Sequence, residues 1–136
     1  MTHLELVQEL YAAFGRRDTD AIRRIFHPEI EWIQNAGFPG GGTHHGTETV
    51  LTDVFAKFRV EWETWQAIVT EWLDAGDHII AIGVYRGTFK TTGRSMEAAF
   101  AHVYTVQDGR IVKFRQYTDT LKIAEARQPA SLTPKH

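Results

Sequence analysis

The sequence has no cysteine, no long apolar run and no excess of either charge sign. Without cysteine, disulfide bridges, thiolate metal sites and cysteine nucleophiles are excluded. The net charge of −2 leaves no basic surface of the kind that binds nucleic acid, and no run of Lys and Arg suggests a membrane surface. No apolar stretch reaches the roughly 20 residues that span a bilayer, and the first residues lack the pattern of a secretory signal. We therefore expect a cytoplasmic protein with neither nucleic acid nor membrane among its partners.

The composition that remains is typical of one globular domain. Apolar residues make up 43% of the chain and charged residues 24%, both ordinary values. A chain of 136 residues suits one domain and buries enough surface for a real core. We predict a single domain over residues 1–127 and a flexible C-terminal tail over residues 128–136, which contain Pro129 and Pro134.

Helical spacing marks the start of the chain. Thr2 and Glu5 form a capping box, and apolar residues then recur at intervals of three and four up to Gly15. Asp18 has the side chain of an N-cap for a second, shorter helix, which Pro28 ends. The pattern therefore predicts two consecutive helices.

A short strand and a glycine-rich loop separate the second helix from a third. Residues 30–34 alternate in part and indicate the strand, whereas residues 37–46 hold Pro39 and three consecutive glycines. Thr47 caps the third helix, whose apolar residues keep helical spacing up to Phe58. We interpret the loop as a mobile flap at the mouth of a cavity.

From Val60 onward the period of the pattern changes to two. Turn-forming residues at 74–77, 91–93 and 107–110 divide this part into strands, of which the last three cover residues 78–90, 95–106 and 111–118. Gly83 and Gly87 lie inside a long strand and indicate a bent, bulged sheet. Asp119 or Thr120 then caps a final short helix.

Helices that precede a run of antiparallel strands predict an α+β domain. We expect a strongly curved antiparallel sheet that forms a cone, covered by three N-terminal helices. A bent sheet covered on one face leaves an open mouth, so this architecture predicts an apolar pocket for a small molecule.

Four parts of the sequence carry a family resemblance: the segment from Val7 to Phe26, the strand Glu29-Ile30-Glu31-Trp32, the glycine loop, and the stretch from Asp108 to Asp119. Together they resemble a SnoaL-like domain of the ketosteroid-isomerase-like branch of the nuclear-transport-factor-2-like superfamily. The resemblance implies a cystatin-like, ketosteroid-isomerase-like α+β barrel without a cofactor. It implies no single activity, because the superfamily includes isomerases, polyketide cyclases, dehydratases, epoxide hydrolases and non-catalytic modules.

The resemblance places the ketosteroid isomerase groups on residues that cannot perform their roles. The isomerases use a carboxylate base, a tyrosine and a protonated carboxylic acid, and these positions fall on Gln34, Leu10 and Ala101. Tyr11 stands one residue from the tyrosine position, but a shift of one residue supplies neither carboxylate. Isomerisation by that mechanism is therefore not expected.

The cyclases of the same group use an aspartate on the last strand, and that position falls on Gln116. Asp119 lies three residues further on, where the strand ends. The resemblance thus implies a small-molecule pocket without a complete catalytic set. The candidates for positioning and polarising a substrate are Gln116, Gln34, Asp119, His102 and Tyr11.

Two side-chain amides, those of Gln34 and Gln116, are expected to point into the apolar pocket. A buried amide without a partner costs about 1–3 kcal/mol, so each either orients a ligand oxygen or bonds to the other amide, to water or to the backbone. The predicted ligand-binding residues are Trp32, Gln34, Gln116, Tyr11, Phe14, Val103, Phe114 and Phe55. No metal is expected, because the adjacent His44 and His45 have no chelating partner at a suitable spacing.

Strand alternation places a second set of side chains on the outer face of the sheet. We predict that His102 lies there with Phe100 and Tyr104, opposite the cavity, as an acid–base group or as a structural or interface histidine. The same surface is predicted to include Lys113, Arg115, Tyr117, Trp62, Trp65 and Trp72. Exposed aromatic strand faces are typical of interfaces, so we expect a homodimer that packs sheet to sheet.

Three functions are consistent with this pattern. The first is an enzyme that acts on a hydrophobic carbonyl or polyketide-like compound by proton transfer. The second is a non-catalytic binder that uses the same pocket. The third is an association module that works through its sheet face, which predicts a cavity filled with side chains.

Overall fold

The computed structural model describes residues 1–129, which form a six-stranded sheet and the helices that pack against it. The helical elements are α1 (His3–Gly15), α2 (Thr19–Ile25), α3 (Thr47–Val50), a π-helical segment (Leu51–Phe55), α4 (Ala56–Glu61) and α5 (Thr120–Arg127). The strands are β1 (Phe26–Gln34), β2 (Gly42–His45), β3 (Trp62–Ala75), β4 (His78–Phe89), β5 (Ser95–Gln107) and β6 (Arg110–Thr118). Most of the predicted tail, residues 130–136, lies outside the described residues.

The sheet is curved and unclosed, with the strand order β2-β1-β6-β5-β4-β3. Strands β3 to β6 form the predicted antiparallel meander, and β2 pairs antiparallel with β1. Strand β1 runs parallel to β6, so the sheet contains one parallel pair within the described residues. That pair joins the start of the chain to its end, and it brings the polar residues of β1 beside those of β6.

Three of the predicted helix caps are confirmed. The hydroxyl of Thr2 accepts the backbone N–H of Glu5 at 3.0 Å, while the Glu5 carboxylate accepts the N–H of Thr2 at 2.8 Å. Asp18 caps α2, and Asp119 caps α5. Each such cap satisfies a backbone N–H that has no partner inside its helix, and is worth about 1 kcal/mol.

Several predicted element boundaries differ from the structure. The N-cap of α3 is Gly46, because the hydroxyl of Thr47 donates instead to the carbonyl oxygen of His27. Helix α2 ends at Ile25, before Pro28, and Pro28 lies near the start of β1. Proline has no backbone N–H to donate, so strands accept it only near their ends or at bulges. Helix α4 extends past Val60, so alternation begins at β3, and the predicted glycine loop contains strand β2.

The two glycines inside β4 mark places where β3 approaches closely. A Cβ atom added at Gly83 would overlap the carbonyl oxygen of Ile68, and one at Gly87 would lie 2.8 Å from that of Thr64. The pairing of β3 with β4 shifts register at both places, between Trp62 and Thr64 and again after Val69. The predicted bulges are therefore present, and they bend the long hairpin around the helices.

The apolar core lies between the helices and the inner face of the sheet. Its most deeply buried members come from both layers and include Val7, Ile22, Phe26, Ile30, Val50, Ile79, Tyr104, Ile111 and Phe114. Burying a side chain of this size contributes about 1.5–3 kcal/mol, so this layer holds the helices against the sheet. Trp62 belongs to the core, and its predicted place on an exposed face is wrong. No helix within residues 1–129 is long and apolar enough to cross a membrane.

Candidate functional site

A cavity of about 50 Å³ lies between the N-terminal helices and the inner face of the sheet. Its wall is formed by Leu10, Tyr11, Phe14, Trp32, Gln34, Phe55, Phe58, Trp65, Ala67, Tyr85, His102, Tyr104, Phe114 and Gln116. None of these side chains is a carboxylate, a lysine or an arginine. A space of this size holds a few waters or a very small molecule, so a larger ligand must displace part of the wall.

Most of the predicted pocket residues lie together in this wall. Trp32, Gln34, Gln116, Tyr11, Phe14, Phe114 and Phe55 all contact the cavity. Val103 does not: it lies on the opposite face of the sheet, beside His78, Lys113 and Tyr117. Asp119 also lies outside the cavity wall, because its carboxylate caps α5 by accepting the backbone N–H of Lys122 at 3.3 Å.

The predicted outward orientation of His102 is wrong. His102 pairs directly with Gln116 across β5 and β6, and directly opposed residues share one face of a sheet. The register of this hairpin shifts by one between Thr105 and Val106, because Val112 on β6 is an additional residue. Simple counting back from the turn ignores that shift and exchanges the two faces of β5.

The same register shift moves the neighbours of His102. Phe100 and Tyr104 are buried and face inward, so they cannot belong to the predicted outer surface. Trp65 lines the cavity, and Trp72 packs edge-on against Tyr11 with ring centroids 5.4 Å apart. Of the aromatic and basic surface predicted from the sequence, the outer face retains Lys113, Arg115 and Tyr117.

A continuous chain of hydrogen bonds crosses one side of the cavity. The Tyr104 hydroxyl donates to the Tyr11 hydroxyl at 2.7 Å, and the Tyr11 hydroxyl lies 2.6 Å from Nδ1 of His102. On the other side of the ring, Nε2 of His102 lies 2.5 Å from the Tyr85 hydroxyl. The Gln116 amide donates to that same hydroxyl at 2.8 Å. Three tyrosines, one histidine and one glutamine are thereby linked without any ionised group.

This hydrogen-bond network contains one more polar hydrogen than the hydrogen bonds between its members use. The three hydroxyls and the neutral imidazole supply four hydrogens, whereas three bonds join them. With Tyr104 as donor, a proton on Nε2 of His102 leaves the Tyr85 hydroxyl hydrogen free, and a proton on Nδ1 leaves that of Tyr11 free. Both hydroxyls belong to cavity-lining residues. The cavity wall therefore offers one hydroxyl hydrogen to an acceptor from outside the network.

Burial keeps every member of the network neutral. Desolvation lowers the pKa of His102 to about 3, so the imidazole carries no charge near neutral pH. Desolvation also raises the pKa of Tyr85 well above its usual range, and it acts in the same direction on Tyr11 and Tyr104. The site is thus built from polar but uncharged donors in an apolar surrounding.

Protein groups hold the two predicted amides to different extents. The Gln116 oxygen accepts the backbone N–H of Asn35 at 3.1 Å, and its nitrogen bonds to Tyr85, so both ends are used. The Gln34 nitrogen donates to the carbonyl oxygen of Gly40 at 3.2 Å, while its oxygen bonds to no described residue. Gln116 therefore positions the network, and Gln34 keeps an acceptor for a ligand.

Trp32 contributes a second donor without a protein partner. Its ring stacks on Phe114 with centroids 3.7 Å apart, and the side chain is 5% exposed. Within residues 1–129, its indole N–H is the buried side-chain group that finds no hydrogen-bond acceptor. Such an unmet donor costs about 1–3 kcal/mol, which an acceptor on a bound molecule would offset.

Phe58 and Trp65 form the wall between the cavity and the outside. Their rings stack with centroids 4.3 Å apart and an interplanar angle of 6°. Both also line two outer grooves, one beside the β1–β2 connection and one beside the end of α1. Phe58 follows the π-helical segment, a distortion that is frequent at functional sites. Movement of this pair would join the cavity to either groove.

Sequence reasoning did not identify Tyr85 as a member of the site. Along β4 its inward neighbours are Ala81, Gly83 and Gly87, so one tyrosine stands in a row of small side chains. This contrast in side-chain size could have indicated Tyr85 as a site residue, because small neighbours leave space around a large polar ring. No group of three or more histidine, aspartate or glutamate side chains within residues 1–129 could hold a metal ion.

Known proteins and protein families resemble this chain along most of its length. A family model described as a SnoaL-like domain matches residues 7–114. A search of the curated proteins finds no match. Among solved structures, an NTF2-like protein from Burkholderia thailandensis is 40% identical with a TM-score of 0.91, and the match covers 95% of this chain and 99% of that chain.

Two more distant structures are also similar. TerC, co-crystallised with polyporic acid, is 24% identical with a TM-score of 0.79, over 90% of this chain and 95% of that chain. IdmH from Streptomyces antibioticus, proposed to be a polyketide cyclase, is 24% identical with a TM-score of 0.76, over 90% of this chain and 96% of that chain. At this identity the likeness shows the fold alone.

Proposed function

The chain belongs to the SnoaL-like domain family, and we propose that its cavity binds a small hydrophobic molecule through an oxygen that accepts a hydrogen bond. The observation that carries the proposal is the hydrogen-bond network of Tyr11, His102, Tyr85 and Tyr104, whose hydrogen count leaves one tyrosine hydroxyl hydrogen without an acceptor in the network. A carbonyl oxygen bound there would be polarised by a neutral donor in an apolar surrounding, where hydrogen bonds are strong. TerC, which shares the fold, was co-crystallised with polyporic acid, an organic acid in keeping with this ligand class.

Binding with polarisation is better supported than proton abstraction. A general base works best when its pKa lies near the working pH, whereas burial lowers the pKa of His102 to about 3. Both imidazole nitrogens are also engaged by tyrosine hydroxyls. No carboxylate lines the described cavity to act in place of the histidine.

Acetophenone and α-methylstyrene test the binding proposal, because they share a shape and differ in one carbonyl oxygen. Calorimetric titration should show acetophenone binding about tenfold more tightly, as one satisfied buried donor predicts. The Tyr85→Phe variant removes a hydroxyl hydrogen together with its bond to His102, so it should reduce this difference if the Tyr85 hydroxyl is the donor that meets the carbonyl oxygen. Tyr11→Phe tests the other hydroxyl in the same way. Equal affinity of the wild type for both compounds would show that the free hydroxyl does not reach the ligand.

Acid–base catalysis on the same compound is the second candidate. It is favoured by the continuity of the network, in which His102 can accept a proton at one nitrogen and release one at the other. Exchange of the acetophenone methyl protons in D₂O, followed by NMR, measures such proton transfer directly. Exchange faster with wild type than with His102→Gln supports catalysis, and equal rates leave binding as the function.

The predicted homodimer and the predicted cytoplasmic location stay predictions. The outer face keeps an exposed Tyr117 beside Lys113 and Arg115, which suits a polar contact between sheets. Light scattering of the wild type and of Tyr117→Glu tests the dimer, because a charge on this face should release monomers. Cell fractionation tests the location.

A further inference from the structure

A groove of about 440 Å³ adjoins the cavity at the end of α1. It shares five residues with the cavity wall: Tyr11, Phe14, Phe58, Trp65 and Ala67. The groove is therefore the outer side of the same wall, and a molecule too long for the cavity would extend into it.

Two arginines without acidic partners line this groove. Arg17 is exposed and Arg59 is half-buried, and neither forms an ion pair or a side-chain hydrogen bond with another described residue. Arg16, one position earlier, shows the contrast, because it pairs with Glu9 at 2.6 Å and with Asp18 at 3.2 Å. Two unpaired cations at one groove create a local positive potential.

Other charged groups lie close to the two arginines. The pKa of Arg59 is lowered by desolvation first and by the charge of Arg17 second. Lys90 adds a third cation nearby, donating from Nζ to the Arg59 carbonyl oxygen at 3.0 Å. Glu63 also lines the groove, but it lies beyond ion-pair distance of both arginines. Two like charges held within mutual reach are stabilised by an anion that bridges them.

We propose that the ligand of this protein carries a carboxylate that binds between Arg17 and Arg59, while its apolar part passes Phe58 and Trp65 towards the cavity. This inference rests on the proposed function and adds a substrate class to it: a hydrophobic carboxylic acid. Arginine suits this role because its planar fork matches both oxygens of a carboxylate. The backbone of Arg17 is in the left-handed region, with φ of 59°, which asparagine also adopts with little strain.

The test compares acids with amides of the same shape. Phenylacetate, 3-phenylpropionate and 4-phenylbutyrate are titrated against their primary amides by calorimetry, at low and at high salt. The wild type should bind the best-fitting acid about tenfold more tightly than its amide, and salt should reduce that ratio. The double variant Arg17→Asn and Arg59→Gln should bind the acid and the amide equally.

Two control variants separate charge at the groove from charge in general. Arg24→Gln removes a cation that lines neither the cavity nor the groove, and it should keep the preference for acids. Arg59→Lys should keep more of the preference for acids than Arg59→Gln does, because lysine keeps the positive charge but lacks the planar two-donor guanidinium of arginine. Amides that bind as tightly as acids, or a preference that survives the double variant, would overturn this inference and leave the proposed function standing. Failure of every acid and every amide to bind the wild type would also overturn this inference, whereas the titration with acetophenone decides the proposed function separately.

Discussion

The burial of His102 makes the free energy of unfolding depend on pH in a defined window. The folded-state pKa is lowered to about 3, against an ordinary value of 6.5. Between these two values the unfolded chain binds a proton that the folded chain does not, so stability falls as pH falls from about 6.5 towards 3. The full difference corresponds to roughly 5 kcal/mol, of which about 2 kcal/mol is lost between about pH 7.5 and about pH 5.

Urea unfolding at a series of pH values measures this loss. The wild type should lose about 2 kcal/mol over that interval, whereas His102→Gln should show a markedly flatter profile. His45→Gln, at an exposed histidine, is the control and should follow the wild type. The pKa values of Glu5, Asp18 and Glu48 are lowered by their hydrogen bonds, and these carboxyls protonate mainly below the chosen interval.

A direct reading of the imidazole guards against a variant that folds poorly. Nitrogen NMR of the wild type should find His102 neutral down to about pH 5, with the proton on one nitrogen. If His102 titrates near its ordinary pKa, or if His102→Gln loses stability on acidification as the wild type does, the description of a buried neutral network is wrong.

Three further changes have predicted outcomes. Gly83→Ala should destabilise the fold by roughly 2–4 kcal/mol, because the added Cβ would overlap the backbone of β3. Gly15→Ala is the control, since a Cβ at Gly15 meets no atom within 4 Å, and its free energy of unfolding should change little. Urea unfolding compares the two variants, and equal effects would contradict the close approach of β3 and β4. Gln116→Leu should cost about 1–3 kcal/mol, because it leaves the Asn35 N–H without a partner and removes one of the two hydrogen bonds of the Tyr85 hydroxyl, with exposed Gln107→Leu as its control in the same assay. Phe58→Ala should speed ligand entry in stopped-flow measurements by opening the cavity wall, and an unchanged rate would place the entrance elsewhere.

Features that depend on neighbouring residues could be predicted from the sequence. The capping box at Thr2 and the cap at Asp18 need only a side chain within three positions of its backbone partner. The last hairpin could likewise be predicted, because Asp-Gly is a residue pair typical of tight hairpin turns. In the structure Asp108 and Gly109 both have the positive φ values that such a turn requires, 51° and 74°. The order of the helices and of the other five strands followed from such local patterns, and with it the fold class, whereas the short strand β2 did not.

Features that depend on register could not be predicted in the same way. One additional residue, Val112, exchanges the two faces of β5 and moves His102 from the predicted surface into the cavity. A bulge of this kind has no sequence requirement strong enough to detect, yet it decides which side chains can meet. The predicted cavity residues on β1, β6 and α1 therefore lie in the cavity wall, whereas those on β5 were assigned to the wrong faces.

Tyr85 was missed because its role depends on two other strands. Its hydroxyl becomes part of the site through His102 on β5 and Gln116 on β6, contacts that no spacing along β4 reveals. Tyr104 joins the network through Tyr11 in the same manner. Long-range hydrogen bonds of this kind follow from the assembled sheet, which the sequence specifies only as a whole.

A crystal structure of the wild type soaked with acetophenone tests the cavity assignment most directly. We expect the carbonyl oxygen to lie about 2.5–3.0 Å from the hydroxyl of Tyr85 or of Tyr11, with Phe58 and Trp65 displaced to admit the ring. A ligand that occupies only the outer grooves, with the tyrosine–histidine network untouched and closed to it, would contradict the proposal that this network recognises the ligand oxygen.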